Sequence, residues 1–458
     1  MLFSSIPFLY YFLPVVLGLY FLVPDRCKNT VLLLFSLVFY GWGEPKLLAL
    51  MVFTIVLFYF CGLAMEKTEK KKFWLLVSVV ISLSLLGIFK YADFFIGSFN
   101  AVTGLSLPLL KLALPVGISF YTFQCLSYTI DVYRGNVPAQ KSLVSFGAYV
   151  ALFPQLIAGP IVRYADVARQ LESREHSWEN LAYGLRRFLV GLGKKVILAD
   201  NFALLLKLFR ESSEPSVLFY WMYAIGFTLH IYFDFSGYSD MAIGLGRMFG
   251  FHFLENFNYP YLSRSVTEFW RRWHMSLGSW FRDYVYIPLG GSRVSRGKWV
   301  RNILVVWMLT GAWHGAAWNF VLWGLLYALC LLAEKSLPQL QKLPGILRWG
   351  YTMLIVVLGF VLFNAESISR AGQDILALFG FGGLPLLTAE TLYYLKSYAL
   401  LFVFGFAGSA PVVKSTAQRL EGTKFGPVLE LAMMVGLLLV CTAYLVDGSF
   451  SPFLYFRF

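Results

Sequence analysis

Long apolar runs recur from one end of the chain to the other, separated by short charged segments. They occupy residues 6–23, 30–42, 47–64, 73–89, 114–130, 143–160, 196–209, 217–235, 303–333, 351–363, 398–413 and 427–446. Crossing about 30 Å of hydrocarbon takes roughly 20 apolar residues in a helix. Lipid offers no partner to backbone amides, so runs of this kind predict helices rather than strands. The pattern therefore predicts an all-α, polytopic transmembrane bundle of roughly 10–12 membrane helices, supplemented by re-entrant or interfacial ones.

Charge alternates in sign between the runs. Residues 66–72 hold four lysines and two glutamates, which the positive-inside rule places in the cytoplasm. No basic residue precedes the first run, and Arg26 and Lys28 follow it. That order differs from a secretory signal and predicts a retained span with its N-terminus outside. Bases stand on both sides of 143–160, so this segment is expected to dip in and return. Residues 264–301 carry eight bases against two acids, interleaved with Trp270, Trp273 and Trp280, the composition of an interfacial cytoplasmic segment. The run 303–333 contains no Asp, Glu, Lys or Arg. As one helix it would extend about 46 Å, too far for a single crossing. The small residues of Gly311-Ala-Trp-His-Gly-Ala-Ala317 predict two arms meeting near His314. Residues 366–390 read as an external loop.

Composition agrees with this picture. Of 458 residues, 58% are hydrophobic and 14% charged, against about 25% charged in soluble domains. The net charge of +13 sits in short inter-span segments, where it sets topology and meets anionic lipid, so nucleic acid is not an expected partner. The five cysteines are scattered, with no CxxC pair or metal spacing, and read as packing residues. The whole chain, 1–458, reads as one membrane-embedded domain, with N-terminal spans over 1–113, a motif-bearing core over 114–335 and C-terminal spans over 336–458.

Few side chains are equipped for chemistry. Among the five histidines, His314 lies deepest in an apolar run, where an ionisable group is costly and a functional candidate by default. Its small neighbours leave room for substrate, and Trp313 and Trp318 are positioned to wall a pocket; the alternative is a hydrogen-bonded packing histidine. His274 follows Arg271, Arg272 and Trp273, and the two arginines are either interface anchors or a docking surface for an anionic donor. In the segment 230–240, His230 and Asp234 stand four apart and face one another if helical. With Tyr238 and Asp240 they are read as pinning the backbone and nearby bases, the alternative being a cation site. No P-loop, HExxH or GxSxG pattern occurs.

These residues sit in segments that resemble the membrane-bound O-acyltransferases, in particular their bacterial alginate O-acetylase branch. The segments are LPVGISFYTF (114–123), SYTIDVYRG (127–135), FPQLIAGP (153–160), DFSGYSDMAIGLG (234–246), residues 268–291 and WHGAAW (313–318). The resemblance implies a transferase with a central tunnel joining the two membrane faces, with His314 and His274 as its catalytic pair. It further marks Arg271, Arg272, Trp273, Trp313, Asn319, Tyr238 and Asp240 as candidates for contacting substrate or donor.

It implies no metal and no permanently bound cofactor. The donor would be an acyl thioester, acetyl-CoA or a carrier-bound acyl group, delivered in the cytoplasm. The partners implied are an extracellular polysaccharide acceptor, a secreted or membrane-anchored SGNH-like protein, a cytoplasmic acyl carrier and membrane lipid. The setting implied is a bacterial plasma membrane. Neutral imidazole, with an unperturbed pKa of about 6.5, can take a proton from an attacking hydroxyl, and His274 would orient the donor or stabilise the developing oxyanion. D-alanyl transfer to teichoic acid by the same fold is the alternative. A transporter or flippase of an acyl or lipid-linked donor is the alternative from another class.

Overall fold

The apolar runs fold as helices, and no strand forms among the described residues. The structure is a computed structural model that describes residues 1–157 and 159–448. Ala158 of the segment 153–160 and the end of the C-terminal region lie outside them. Among the described residues five helices are long and apolar enough to cross a membrane: Leu48–Lys67, Lys71–Thr103, Trp318–Ser336, Gly345–Asn364 and Gly426–Val446. A sixth span results if Ala389–Gly408 and Val412–Glu421, bent by 70°, form one broken crossing. The remaining expected crossings fall on helices that are shorter, such as Pro7–Leu22, or more polar, such as Val217–Met248 with its buried His230, Asp234 and Asp240.

The chain forms two compact units. The first comprises Met1–Phe188 with Ser239–Leu254, and the second Leu189–Tyr238 with the chain from Glu255. In the first unit Phe3, Phe8, Phe12, Phe39 and Phe153 interlock, with Phe12 and Phe153 edge to face at 5.3 Å. The segment 143–160 is a nine-residue helix, Leu143–Ala151, followed by buried loop. At 1.5 Å per residue that helix covers about 14 Å, well short of the roughly 30 Å of a hydrocarbon core. Its backbone is satisfied inside the protein, for example by Ser36 Oγ accepting from Phe153 N at 3.1 Å. Gly117, at φ +74°, has the carbonyl of Leu156 where a side chain would stand; a residue with a Cβ would meet both strain and overlap.

In the second unit, the uncharged run becomes a hairpin of two helices, Arg296–His314 and Trp318–Ser336. Each has 19 residues, about 28 Å, so the arms are longer than the uncharged run alone suggested. Gly311 and Gly324 let the two backbones touch, each occupying space a Cβ would need. Trp307, Trp323, Tyr327, Phe360 and Phe363 pack around them. A buried charge group lies elsewhere in this unit: Lys195 bonds Asp200 at 2.7 Å and Asp234 at 2.8 Å. The expected external loop contains an unforeseen amphipathic helix, Ile368–Leu378, anchored through Asp374 to Arg210 at 2.6 Å.

Candidate active site

His274 stands at a break between two short helices. Val266–Arg272 starts on Ser265, whose Oγ accepts from Glu268 N at 3.0 Å, and Met275–Phe281 begins immediately after the histidine. The break puts His274 in the left-handed region, at φ 45° and ψ 53°. That conformation costs a residue with a Cβ about 1 kcal/mol. It persists because Asn256 over-determines the turn. The carbonyl of Asn256 accepts from Met275 N at 3.0 Å, and its side-chain Oδ1 accepts from Ser276 N at 3.2 Å and Ser276 Oγ at 2.9 Å.

The same Oδ1 faces His274 Nδ1 at 3.2 Å. A backbone N–H already donates to that atom, so it is the amide oxygen, and Nδ1 of the histidine carries the proton. In the neutral ring Nε2 then holds the lone pair. Nε2 is buried and makes no hydrogen bond among the described residues. Burial, and after it the facing His314, hold the His274 imidazole well below its ordinary range, so it stays neutral.

His314 ends the first arm of the hairpin. Gly315 follows in extended conformation, and a side chain there would strike the Phe320 ring. The His314 ring is boxed edge-on by Trp313, Trp323 and Phe363 at 5.1, 5.1 and 5.3 Å. His274 lies 6.3 Å from it, centroid to centroid, and 5.8 Å from Trp313. Two histidines forty positions apart thus share one buried aromatic chamber. Trp318, expected to wall the pocket, is 54% exposed and leaves that role to Trp323.

A cavity of about 570 Å³ reaches His274 between Trp270, Arg271, Trp273, Gly278 and Thr310. Arg271 and Thr267 also line a neighbouring cavity of about 520 Å³ that holds Arg264, Lys335 and Arg348. Its one acid, Glu334, is occupied by the amides of Val266 and Thr267 at 2.6 and 2.9 Å and by Thr267 Oγ1 at 2.6 Å. Among the described residues the guanidinium of Arg348 meets only carbonyls, those of Arg264 and Gln341.

The other expected residues separate. Arg271 and Arg272 do not act as a pair: Arg272 is held by Glu268 at 2.8 Å, four residues back, while Arg271 faces the cavities. Trp273 is buried against Phe269 and lines the first cavity. Asn319 donates to the carbonyls of Phe363 and Ala365, at 3.3 and 3.0 Å, tying the hairpin turn to the end of Gly345–Asn364. Tyr238 is buried on Val217–Met248. Asp240 belongs to the first unit, where it binds Arg187 at 2.6 Å. His230 and Asp234 do share a helix, yet each bonds another residue: His230 the carbonyl of Ala199 at 2.9 Å, Asp234 the ammonium of Lys195. Both acids of that segment therefore hold bases. No group of three or more His, Cys, Asp or Glu suited to a metal occurs among the described residues.

Asn256 escaped the sequence reading, because nothing in its residue type ties it to a histidine eighteen positions later. Arg264 was legible only as one base of the interfacial segment 264–301.

Residues 34–368 match the model of the membrane-bound O-acyltransferase family. The probable alginate O-acetylase of Azotobacter vinelandii is 40% identical over the full length of both chains. That of Pseudomonas aeruginosa is 45% identical over 83% of this chain and 75% of its own. The peptidoglycan O-acetyltransferase of Helicobacter pylori is 35% identical over 84% of this chain and 81% of its own. A family match over most of the chain, with full-length relatives of this similarity, settles the reaction class: the chain belongs to the membrane-bound O-acyltransferase family and is an O-acyltransferase.

Proposed function

We propose that this enzyme moves an acetyl group from a cytoplasmic thioester to a hydroxyl of an extracellular polysaccharide, or to a partner protein that completes the modification. The observation that carries the reading is the pair His274 and His314, 6.3 Å apart among buried aromatic rings, with His274 lining a cavity that has an arginine-lined neighbour. The acetyl group and the polysaccharide are inferred from the relatives, which are named for alginate and peptidoglycan.

In this reading His314 accepts the proton of the attacking hydroxyl as its oxygen bonds the thioester carbonyl carbon. The carbon–sulfur bond then breaks, and the proton passes to the departing thiolate. His274 has its lone pair on Nε2, so it accepts a hydrogen bond, from a donor amide or the acceptor hydroxyl. A role at the oxyanion would need a hydrogen on Nε2, which this tautomer lacks. The basic cavity with Arg264, Arg271, Lys335 and Arg348 suits the phosphates of a coenzyme or of a phosphopantetheine arm. The apolar cavity suits the arm itself. No resident cofactor enters the scheme. A tunnel across a bacterial plasma membrane, with the N-terminus outside, would let donor and acceptor remain on their own sides.

The test is complementation of a deletion strain with His314→Ala or His274→Ala, reading ester-linked acetyl on the surface polysaccharide. Loss of ester with normal protein abundance is expected. Wild-type ester content in a well-expressed His314→Ala strain would refute the role given to that residue.

A further inference from the structure

A polar cavity of about 560 Å³ belongs wholly to the first unit. Three segments enclose it: the first turn of Asp25–Gly43, the start of Leu143–Ala151 and the chain leaving Tyr164–Glu172. Its walls carry Arg26, Lys28, Arg174 and His176 against Asp25 and Glu172. Lys28 is buried and bonds Asp25 at 2.8 Å, while the Asp25 side chain is 91% exposed.

Two polar atoms in this wall have no partner among the described residues. One is Nη1 of Arg174, buried although its guanidinium lies 4.7 Å over the Phe251 ring. The other is Oδ1 of Asn29, whose Nδ2 donates to Ser145 Oγ at 3.0 Å and to the Leu171 carbonyl at 2.7 Å. A buried unfilled donor on a cation is costly, and it calls for an anionic oxygen. An unfilled amide oxygen in the same cavity calls for a hydroxyl.

The rim tells where such a ligand comes from. Phe21 stands 5.6 Å from His176, ring to ring, and is 44% exposed; Leu22 is 81% and Trp178 85% exposed. Exposed aromatics beside a cationic pocket are the composition of a membrane–water interface. The basic-segment rule places this end of the helices in the cytoplasm, whose leaflet is rich in anionic lipid.

We propose that the cavity binds the headgroup of an anionic glycerophospholipid, with its phosphate on Arg174 and Arg26 and a headgroup hydroxyl on Asn29. The assignment is independent of the acyl-transfer reading.

Native mass spectrometry of the full chain in detergent, titrated with phosphatidylglycerol, phosphatidylethanolamine or inorganic phosphate, tests it. Phosphatidylglycerol should be retained preferentially. Arg174→Gln should weaken that retention about tenfold or more, the scale of one charge-assisted hydrogen bond. Arg26→Glu reverses an exposed charge that the fold does not use, and should weaken it too. Equal retention of the two lipids, or undiminished phosphatidylglycerol binding in both variants, would overturn the proposal. Displacement of the lipid by inorganic phosphate at similar concentration would assign the cavity to a soluble phosphate and overturn the lipid source.

Discussion

Gly311 and Gly324 press together across the hairpin so tightly that neither backbone leaves room for a Cβ: one would strike the carbonyl of Phe320, the other that of Trp307. Both obstacles are backbone, which cannot rotate away. Gly324→Ala should therefore spread the arms and destabilise the protein by about 1–3 kcal/mol, the usual cost of overpacking. His314 lies three residues beyond Gly311, so acyl transfer should fall as well. Thermal unfolding in detergent and ester formation, measured on the same preparation, check this. Wild-type values for both would show that the arms can separate without cost.

Asn256 holds the tautomer of His274. Asn256→Ala removes the acceptor for Nδ1 and leaves the ring free to adopt the wrong tautomer or to turn. Transfer activity should drop about 10- to 100-fold with protein abundance retained, the scale seen when the partner of a working histidine is lost. Asn256→Asp keeps the acceptor and adds a negative charge, which favours imidazolium. Part of the activity should return, with the acidic limb of its pH profile displaced upward. A profile unchanged in Asn256→Asp would refute the link.

Stability should depend on pH through His274. Its folded pKa lies well below the ordinary 6.5 because of burial and then His314. The unfolded chain thus binds a proton that the folded chain refuses, and stability rises with pH in that window. The contribution is complete above about 6.5 and is lost progressively as pH falls toward the folded value. Melting temperatures measured from neutral pH down to about pH 5 should fall more steeply for the wild type than for His274→Gln. Parallel curves would rule the histidine out as the source.

The neighbouring arginines should behave differently. Arg271 faces both cavities of the second unit, so Arg271→Gln should raise KM for the thioester donor about tenfold, the loss of one charge-assisted contact. Arg272 is a third exposed and paired with Glu268; such pairs contribute about 0–1 kcal/mol. Arg272→Gln should leave donor KM within about twofold. Steady-state kinetics with varied donor separate the two, and equal effects would contradict the division of roles.

Removing the cation of the buried charge group should be severe. Lys195→Met leaves Asp200 and Asp234 without their shared ammonium. Stranding buried charges in this way costs about 3–5 kcal/mol. A sharp fall in folded yield, by fluorescence-detected size exclusion, is the expected outcome. The double change Lys195→Met with Asp234→Asn should recover part of it.

The sequence by itself determined the helical, membrane-spanning architecture, because lipid forces every long apolar run to satisfy its own backbone. It also determined that 303–333 must break near His314, since helix length is a local quantity. The histidines stood out for the same reason: an ionisable group in an apolar run is conspicuous without any neighbours.

Their pairing was not legible. His274 reaches His314 only because a left-handed turn held by Asn256 aims it inward, and a hydrogen bond between residues eighteen apart leaves no periodic trace. The separation of Arg271 from Arg272 was likewise hidden, since adjacent residues on a helix point about 100° apart and only packing decides which one finds a carboxylate. Tertiary structure also decided that Asp234 and Asp240 each hold a base, because an acid's partner depends on which helix lies against it. The runs made the helices; which side chains meet between them was left to packing.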